Sequence, residues 1–313
     1  MNHSATKIQI NSEIGTLRKV LLHSPGAEVE NMTPKNAQRA LYSDILNLSI
    51  AQNEYRQLSG VLSKVAEVVY VKDLLTKVLD NILERQSLIG KICISEGVTN
   101  YFDMLMQMPS AELARVLIEG LPSRMDTLTA FLNEDHYALF PLYNFYFTRD
   151  ASVTIGNHAL ICRMANKVRM RESLIMEAIY KGSGEFQCGI INAHNFQPGN
   201  KDIYMEGGDI LIAREDILLI GNGVRTSTQG IDMLVSQLCH IAPQGQKHII
   251  VQQLPSTPES FIHLDMVFTL LDHDKCMVFE PLILRDNQYQ TVHITIDNGK
   301  VSRISHAHNL PRV

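Results

Sequence analysis

The sequence lacks tryptophan, paired CxxC cysteines, an excess of basic charge and any long apolar run. Its 28 Lys and Arg against 33 Asp and Glu give a net charge of -5, which argues against nucleic acid or an anionic membrane as a partner. No stretch is apolar enough to cross a bilayer, and the polar start MNHSATKIQINSEIG has no secretion-signal core. Five cysteines without paired spacing fit reduced thiols, so we expect a cytoplasmic protein.

The 313 residues, 45% of them hydrophobic, suffice for one large domain or two ordinary ones. Near the N-terminus, LRKVLLHSPG predicts a strand at Val20–His23. Thr33 followed by Pro34 predicts the start of a helix, and the apolar spacing keeps a helical period to about Val61. VAEVVYV then predicts a second strand.

From about residue 74 to 135 the apolar spacing is helical and strand-like runs are absent. This predicts an all-helical insertion inside a domain that contains β-structure. The expected organisation is one α/β domain of residues 1–73 and 136–313, with the helical insertion at 74–135.

A repeat follows the predicted insertion. Three hairpin-like segments have first strands that begin near Val153, Ile210 and Val267, two equal intervals of 57 residues. Helical segments follow the first two hairpins at about 171–181 and 227–240, and KHIIVQQL supplies a returning strand. The unit is therefore roughly ββαβ. Equal spacing of such units predicts a ring or propeller, because one unit alone cannot bury its apolar face.

Charged residues precede all three hairpins. In a ring of repeats, equivalent positions approach a common axis, so we expect the side chains of this set to converge: Asp150, Glu206, Asp209, His263 and Asp265. The glycine pair in MEGGD would let the backbone turn close to that centre. Taken singly, each residue has an ordinary structural explanation as a cap, a turn or a satisfied pair.

Four carboxylates in one place repel one another unless a cation lies among them. A metal ion is one candidate, although neither HExxH nor another recognised ligand spacing is present. A guanidinium is the other, because its planar N–H fork matches carboxylates and its presence would explain the histidine as a proton shuttle. Arg169 and Arg225 each follow a cluster residue by 19 positions and could hold a carboxylate at the far end of a ligand.

The segments LRKVLLHSPG, NMTP, YFTRD, VRMRESL, MEGGDIL, IGNGVRTS and HLDMVF occur in that order. Together they resemble the arginine deiminase family of guanidino-group modifying enzymes, over essentially the whole chain. The resemblance implies a pentein-like α/β propeller of five ββαβ units, and we expect the last unit to be incomplete or missing. The helical insertion favours arginine deiminases over their amidinotransferase and dimethylarginine-hydrolase relatives.

The resemblance also implies roles for residues. Asp150 and Asp265 would clamp the guanidinium, His263 would act as general acid and base, and Glu206 would assist it. The remaining implied substrate-binding residues are Asp209 in the same site, Asn144, Arg169 and Arg225 at the amino-acid end, and Leu41 over the pocket.

The reaction implied by the resemblance converts L-arginine and water to L-citrulline and ammonia through a covalent amidino intermediate on a cysteine. It needs no metal or organic cofactor. An open edge of the ring would expose apolar strand surface, which favours self-association. We therefore expect a homo-oligomer.

The family's nucleophilic cysteine lies in a glycine-rich C-terminal segment, whereas this sequence ends in VSRISHAHNLPRV. We expect Cys276 and Cys162 to be core residues, and the 313-residue chain to be inactive alone. Three hypotheses remain open: an arginine deiminase whose last unit is encoded downstream, a non-catalytic protein that binds arginine or a partner, and a scaffold of the same fold. The retained charged set argues against a scaffold. DNA downstream of codon 313 would separate the first two.

Overall fold

The computed structural model describes residues 5–30, 41–42, 45–132, 136–196, 202–241, 243–307 and 309–310. The chain divides into two compact units. The first comprises Met1–Thr6, Leu17–Thr148 and Asn166–Gln187, and the second comprises Lys7–Thr16, Arg149–Ala165 and Cys188–Val313. No helix in the described ranges is both long enough and apolar enough to span a membrane.

The first unit is mainly helical. Its helices are Ala27–Glu30, Leu48–Leu62, Val71–Asp80, Ile82–Glu96, Phe102–Gln107, Ser110–Glu119, Leu128–Leu132 and Met170–Gly182. Its strands include the parallel pair Lys19–Leu22 and Glu67–Tyr70 and the antiparallel pair Leu121–Pro122 and Tyr137–Leu139. The described part of residues 74–135, the predicted insertion, thus contains five helices and one short strand. The proposed domain boundaries stay a prediction.

Apolar residues at helical spacing form the core of this unit. Leu75 and Leu79, one turn apart on the helix Val71–Asp80, are fully buried, as is Leu117 on the helix Ser110–Glu119. The Asn81 side chain accepts hydrogen bonds from the first backbone N–H groups of the following helix and so separates two consecutive helices.

The second unit is mainly β-structure. Its three-stranded sheet consists of Ser152–Ile155, His158–Ile161 and Gly189–Asn192. Its five-stranded sheet consists of Ile210–Arg214, Ile217–Asn222, Gln246–Gln253, Thr291–Asp297 and Lys300–Ala307. Phe268–Asp272 and Lys275–Val278 form a two-stranded sheet. Its longest helix is Thr228–Ile241. A buried apolar cluster that includes Leu211, Ile250 and Phe268 lies between the second and third hairpins.

The repeat is present in the secondary structure. All three predicted hairpins form, and in the first two the second hairpin strand also pairs with a parallel returning strand. Leu160 pairs with Ile191, and Ile220 pairs with Val251. A helix lies between hairpin and returning strand in the chain in both cases. The fold is therefore mixed α/β and built from ββαβ units; five units in a propeller stays a prediction.

Two expectations need correction. The predicted helix start at Thr33 and Pro34 lies outside the described residues and stays a prediction. The predicted helical period is wrong before Leu48: Leu41 and residues 45–47 are not helical, and the helix that ends at Leu62 begins at Leu48, where the Asn47 side chain caps it. Cys276 is exposed rather than buried in a core, because it lies on a hairpin of only two strands.

Candidate active site

Three of the predicted side chains meet in the second unit. His263 Nε2 lies 3.1 Å from Glu206 Oε2, and His263 Nδ1 lies 3.8 Å from Asp150 Oδ1. All three residues are buried, and one potential ligand atom from each falls within 4.8 Å of the others. The arrangement places an imidazole between two carboxylates.

Each of these residues stands just before the first strand of a hairpin. Asp150 lies in the short helix Thr148–Ala151, directly before Ser152–Ile155. Glu206 and His263 each precede a single 3-10 turn that leads into the next strand. The segments that lead into three successive hairpins therefore deliver side chains to one place.

Glu206 is completely buried and held from several directions. Its backbone N–H donates to Thr226 Oγ1 at 3.2 Å, and its Oε1 accepts from the backbone N–H of Ala165 at 3.1 Å. Arg225 Nη1 lies 3.6 Å from the same Oε1. A hydrogen bond and a guanidinium thus hold this carboxylate in place, and its own hydrogen bond to His263 raises the pKa of that ring.

The pKa of His263 is raised from 6.5 to about 9. Burial alone would lower it, but the hydrogen bond to Glu206 and the negative charges of Asp150 and Asp209 outweigh burial. At neutral pH the ring is therefore an imidazolium that donates to Glu206 Oε2.

Asp209 lies beside this group and is fully buried. Its Oδ1 accepts from the backbone N–H of Leu264 at 3.0 Å, which ties the second repeat to the third. Burial is the main reason that the pKa of Asp209 rises to about 7, against the opposing charge of His263. Near neutral pH this carboxyl is therefore partly protonated.

Asp265 differs from the other carboxylates because it is exposed. Partial loss of surrounding water raises its pKa; the charges of His263 and Arg149 lower it, and the charge of Asp150 raises it. The structure thus places Asp265 within electrostatic range of His263 and Asp150, on the accessible side of the group.

The glycine pair allows the backbone to pass close to these side chains. A Cβ on Gly207 would lie 2.0 Å from the carbonyl oxygen of Arg149, and one on Gly208 would lie 2.7 Å from His263 Nδ1. No other residue type fits at Gly207 without moving the backbone.

Gly207→Ala is accordingly expected to lower the free energy of unfolding by about 1–3 kcal/mol, because the added methyl group overlaps a backbone atom that cannot rotate away. Urea denaturation measures the change. Gly60→Ala is the control: a methyl group added there, on the helix Leu48–Leu62, would meet nothing within 4 Å, so no loss of stability is expected. Equal stability of Gly207→Ala and the unsubstituted protein would contradict the close approach.

The other predicted site residues belong to the first unit. Arg169 is buried and bound through Nε and Nη2 to Glu172, and its Nη2 also donates to the backbone oxygen of Asn144 at 3.3 Å. Leu41 is partly buried and has a positive φ of 66°. The substrate-binding roles of these three residues stay predictions.

Two residues that support the site escaped the sequence reasoning. Thr226, which accepts from Glu206 N–H, is fully buried, and its only signal was its place beside Arg225. Arg149 stands next to Asp150, and its charge at the mouth of a strand was a usable signal.

A buried histidine between two carboxylates, with two further carboxyls beside it, is chemically suited to accept and donate protons. The family model described as arginine deiminase matches residues 38–313. Arginine deiminase 1 of Staphylococcus epidermidis is 32% identical over 306 residues, which cover 94% of this chain and 74% of that protein. Arginine deiminase of Limosilactobacillus reuteri is 33% identical in an alignment of 325 positions, gaps included, that covers 98% of this chain and 77% of that protein.

The chain belongs to the arginine deiminase family, whose named members are hydrolases acting on the guanidino group. Among solved structures, a mutant of DDAH from Pseudomonas aeruginosa complexed with citrulline is similar, with a TM-score of 0.48 and 13% identity over 84% of this chain and 70% of that chain.

Proposed function

We propose that the second unit binds the guanidinium group of L-arginine and carries the proton-transfer groups of an arginine deiminase site. The supporting observation is the burial of His263 between Glu206 and Asp150, at 3.1 and 3.8 Å. Asp150 and Asp265 contribute the negative charge that a planar cation requires, and a guanidinium offers several N–H donors to two carboxylates at once.

His263 is the proton donor and acceptor of the proposed site. Its raised pKa keeps it protonated at neutral pH, the form that gives a proton to a departing ammonia. After the proton has left, the neutral ring can accept one from an attacking water. Glu206 holds the ring in place through Nε2 and stabilises its charged form.

The amino-acid end of the ligand is assigned by the family resemblance alone. Arg169 and Arg225 would pair with its carboxylate, Asn144 would hydrogen-bond to it, and Leu41 would cover it. Asp209 would line the guanidinium site. The ligand would be a free amino acid in a cytoplasmic protein that forms a homo-oligomer.

The complete reaction joins water to L-arginine and releases L-citrulline and ammonia, with a cysteine thiolate forming and then losing a bond to the guanidinium carbon. No cysteine among the described residues joins the group of Asp150, Glu206 and His263. This favours a second candidate function for the 313-residue chain alone: binding of arginine without chemistry.

Calorimetric titration with L-arginine tests the proposed ligand. The protein is expected to bind it, and Asp150→Asn and Asp265→Asn are each expected to weaken binding by about tenfold or more, because each loses a charge-assisted hydrogen bond. Asp272→Asn is the matched control, an exposed carboxylate on the strand Phe268–Asp272, and should bind as the unsubstituted protein does. A folded protein that binds no arginine, or an Asp150→Asn variant of unchanged affinity, would overturn the proposal.

A further inference from the structure

Arg149 adjoins Asp150 in the chain, and its guanidinium fork is directed at another part of the second unit. Nη1 and Nη2 donate to the two carboxylate oxygens of Glu13 at 3.1 and 2.7 Å. Nε donates to the carbonyl oxygen of Gly207 at 3.2 Å, and Nη2 also donates to that of Ile210 at 2.6 Å. One side chain therefore connects three separate segments.

The two carbonyl acceptors bracket the turn that carries the site. Gly207 opens the 3-10 turn Gly207–Asp209, and Ile210 follows it. Glu206 lies just before this turn, so the Arg149 fork fixes both ends of the segment that presents Glu206 to His263. A planar fork with several donors suits this task, because each hydrogen bond constrains the direction of the others.

Glu13 is itself anchored. Its backbone N–H donates to the carbonyl oxygen of Ile212 at 2.8 Å, and its Oε1 accepts from the Ile212 N–H at 2.9 Å. Three residues earlier, Ile10 and Gly156 exchange two backbone hydrogen bonds of 2.8 Å. The N-terminal segment thus attaches to the hairpin after Asp150 and to the hairpin after Glu206.

We propose that Arg149 and Glu13 are positioning residues, which hold Asp150 and the turn Gly207–Asp209 in the relative placement that lets His263 lie between two carboxylates. Neither would touch the ligand. What the site binds rests on the proposed function, but the placement of His263 can be measured without any ligand.

Arg149 also contributes charge. Desolvation raises the pKa of Asp265; the charges of Asp150 and Glu13 raise it further, and those of His263 and Arg149 lower it. The pair of Arg149 and Glu13, called the clamp below, thus places the Arg149 guanidinium within electrostatic range of Asp265, and the Glu13 carboxylate offsets much of that positive charge.

An NMR titration of the His263 ring in the unliganded protein tests the clamp through Arg149→Lys, which keeps the charge and loses the fork. Without the fork the turn relaxes, the contact from Glu206 to His263 lengthens, and the pKa of His263 is expected to fall by at least about one unit towards its ordinary value. Arginine affinity is expected to fall about tenfold in the same variant. A role confined to general stability would lower the unfolding midpoint and leave the His263 titration in place.

Arg214→Lys is the matched control. Arg214 makes the same bidentate contact, to Asp216 at 2.5 and 2.8 Å, at the exposed end of the hairpin that begins at Ile210. The substitution Arg214→Lys should leave the titration of His263 and the affinity for arginine unchanged. Glu13→Gln keeps a carbonyl oxygen for Ile212 and serves as the milder variant, with a smaller shift in the same direction, if Arg149→Lys does not fold.

A His263 titration that is unchanged in folded Arg149→Lys, or in Glu13→Gln where only that variant folds, would overturn the clamp. If the unsubstituted protein binds no arginine, the proposed function fails, and the His263 titration still decides the clamp by itself.

Discussion

The purified 313-residue chain, incubated with L-arginine, is expected to release no detectable citrulline. A guanidinium is stabilised by resonance, and the reaction implied by the family requires a thiolate at its central carbon. In the proposed site the carboxylates would bind the guanidinium and His263 would transfer protons, and neither would form the covalent bond. In other enzymes, loss of members of a catalytic set costs many decades in rate even where binding survives.

The five cysteines support this expectation. Cys93 and Cys162 are buried, and Cys276 is exposed on a two-stranded hairpin. Burial raises the pKa of the thiols of Cys188 and Cys239, which disfavours the thiolate. None of the five joins the group around His263 in the described part of the chain.

Colorimetric assay of citrulline, with calorimetry on the same sample to confirm arginine binding, checks the result. Citrulline release would contradict it. Substitution of each cysteine by serine would then identify the nucleophile, with His263→Gln as the variant expected to abolish proton transfer in any case. Binding without turnover would support the second candidate function.

Local patterns predicted the hairpins well. The Gly156-Asn157 turn between two short, largely apolar runs is enough to define the hairpin Ser152–Ile161. The equal repeat interval then placed Asp150, Glu206 and His263 just before three equivalent hairpins, and this placement was enough to predict that they lie close together. Each of these predictions rests either on residues that are close in sequence or on the equal spacing of the repeats.

Two features were not predicted: the contact between Arg149 and Glu13, which are distant in sequence, and the hairpin near the end of the chain, whose turn signal was overlooked. Glu13 and Arg149 are 136 residues apart, and nothing in either local sequence marks them as partners. By contrast, the hairpin of Thr291–Asp297 and Lys300–Ala307 had a clear signal in Asn298-Gly299, whose φ values of 47° and 74° are typical of a tight hairpin turn. That segment extends the sheet of the second hairpin to five strands, which the repeat did not suggest.

The buried His263 should make the stability of the protein fall as pH rises from neutral to alkaline. Its folded-state pKa of about 9 lies above the unfolded value of 6.5, so its stabilising contribution is fully present below pH 6.5 and is lost as pH rises through about 9. The difference corresponds to about 3 kcal/mol. Asp209, with a folded-state pKa of about 7 against 3.8, acts in the same direction at lower pH, between those two values.

Urea unfolding between about pH 6 and pH 10 measures this effect, and His263→Gln separates it from other titrations. Near pH 6 the variant is expected to be less stable than the unsubstituted protein by about 3 kcal/mol, because an imidazolium that neutralised Glu206 and Asp150 is gone. Above about pH 9 the two proteins should converge, since the ring and the amide are then both neutral. His240→Gln, an exposed side chain on the helix Thr228–Ile241, should leave the slope unchanged. Parallel curves for His263→Gln and the unsubstituted protein across this range would mean that His263 is not held as an imidazolium between its two carboxylates.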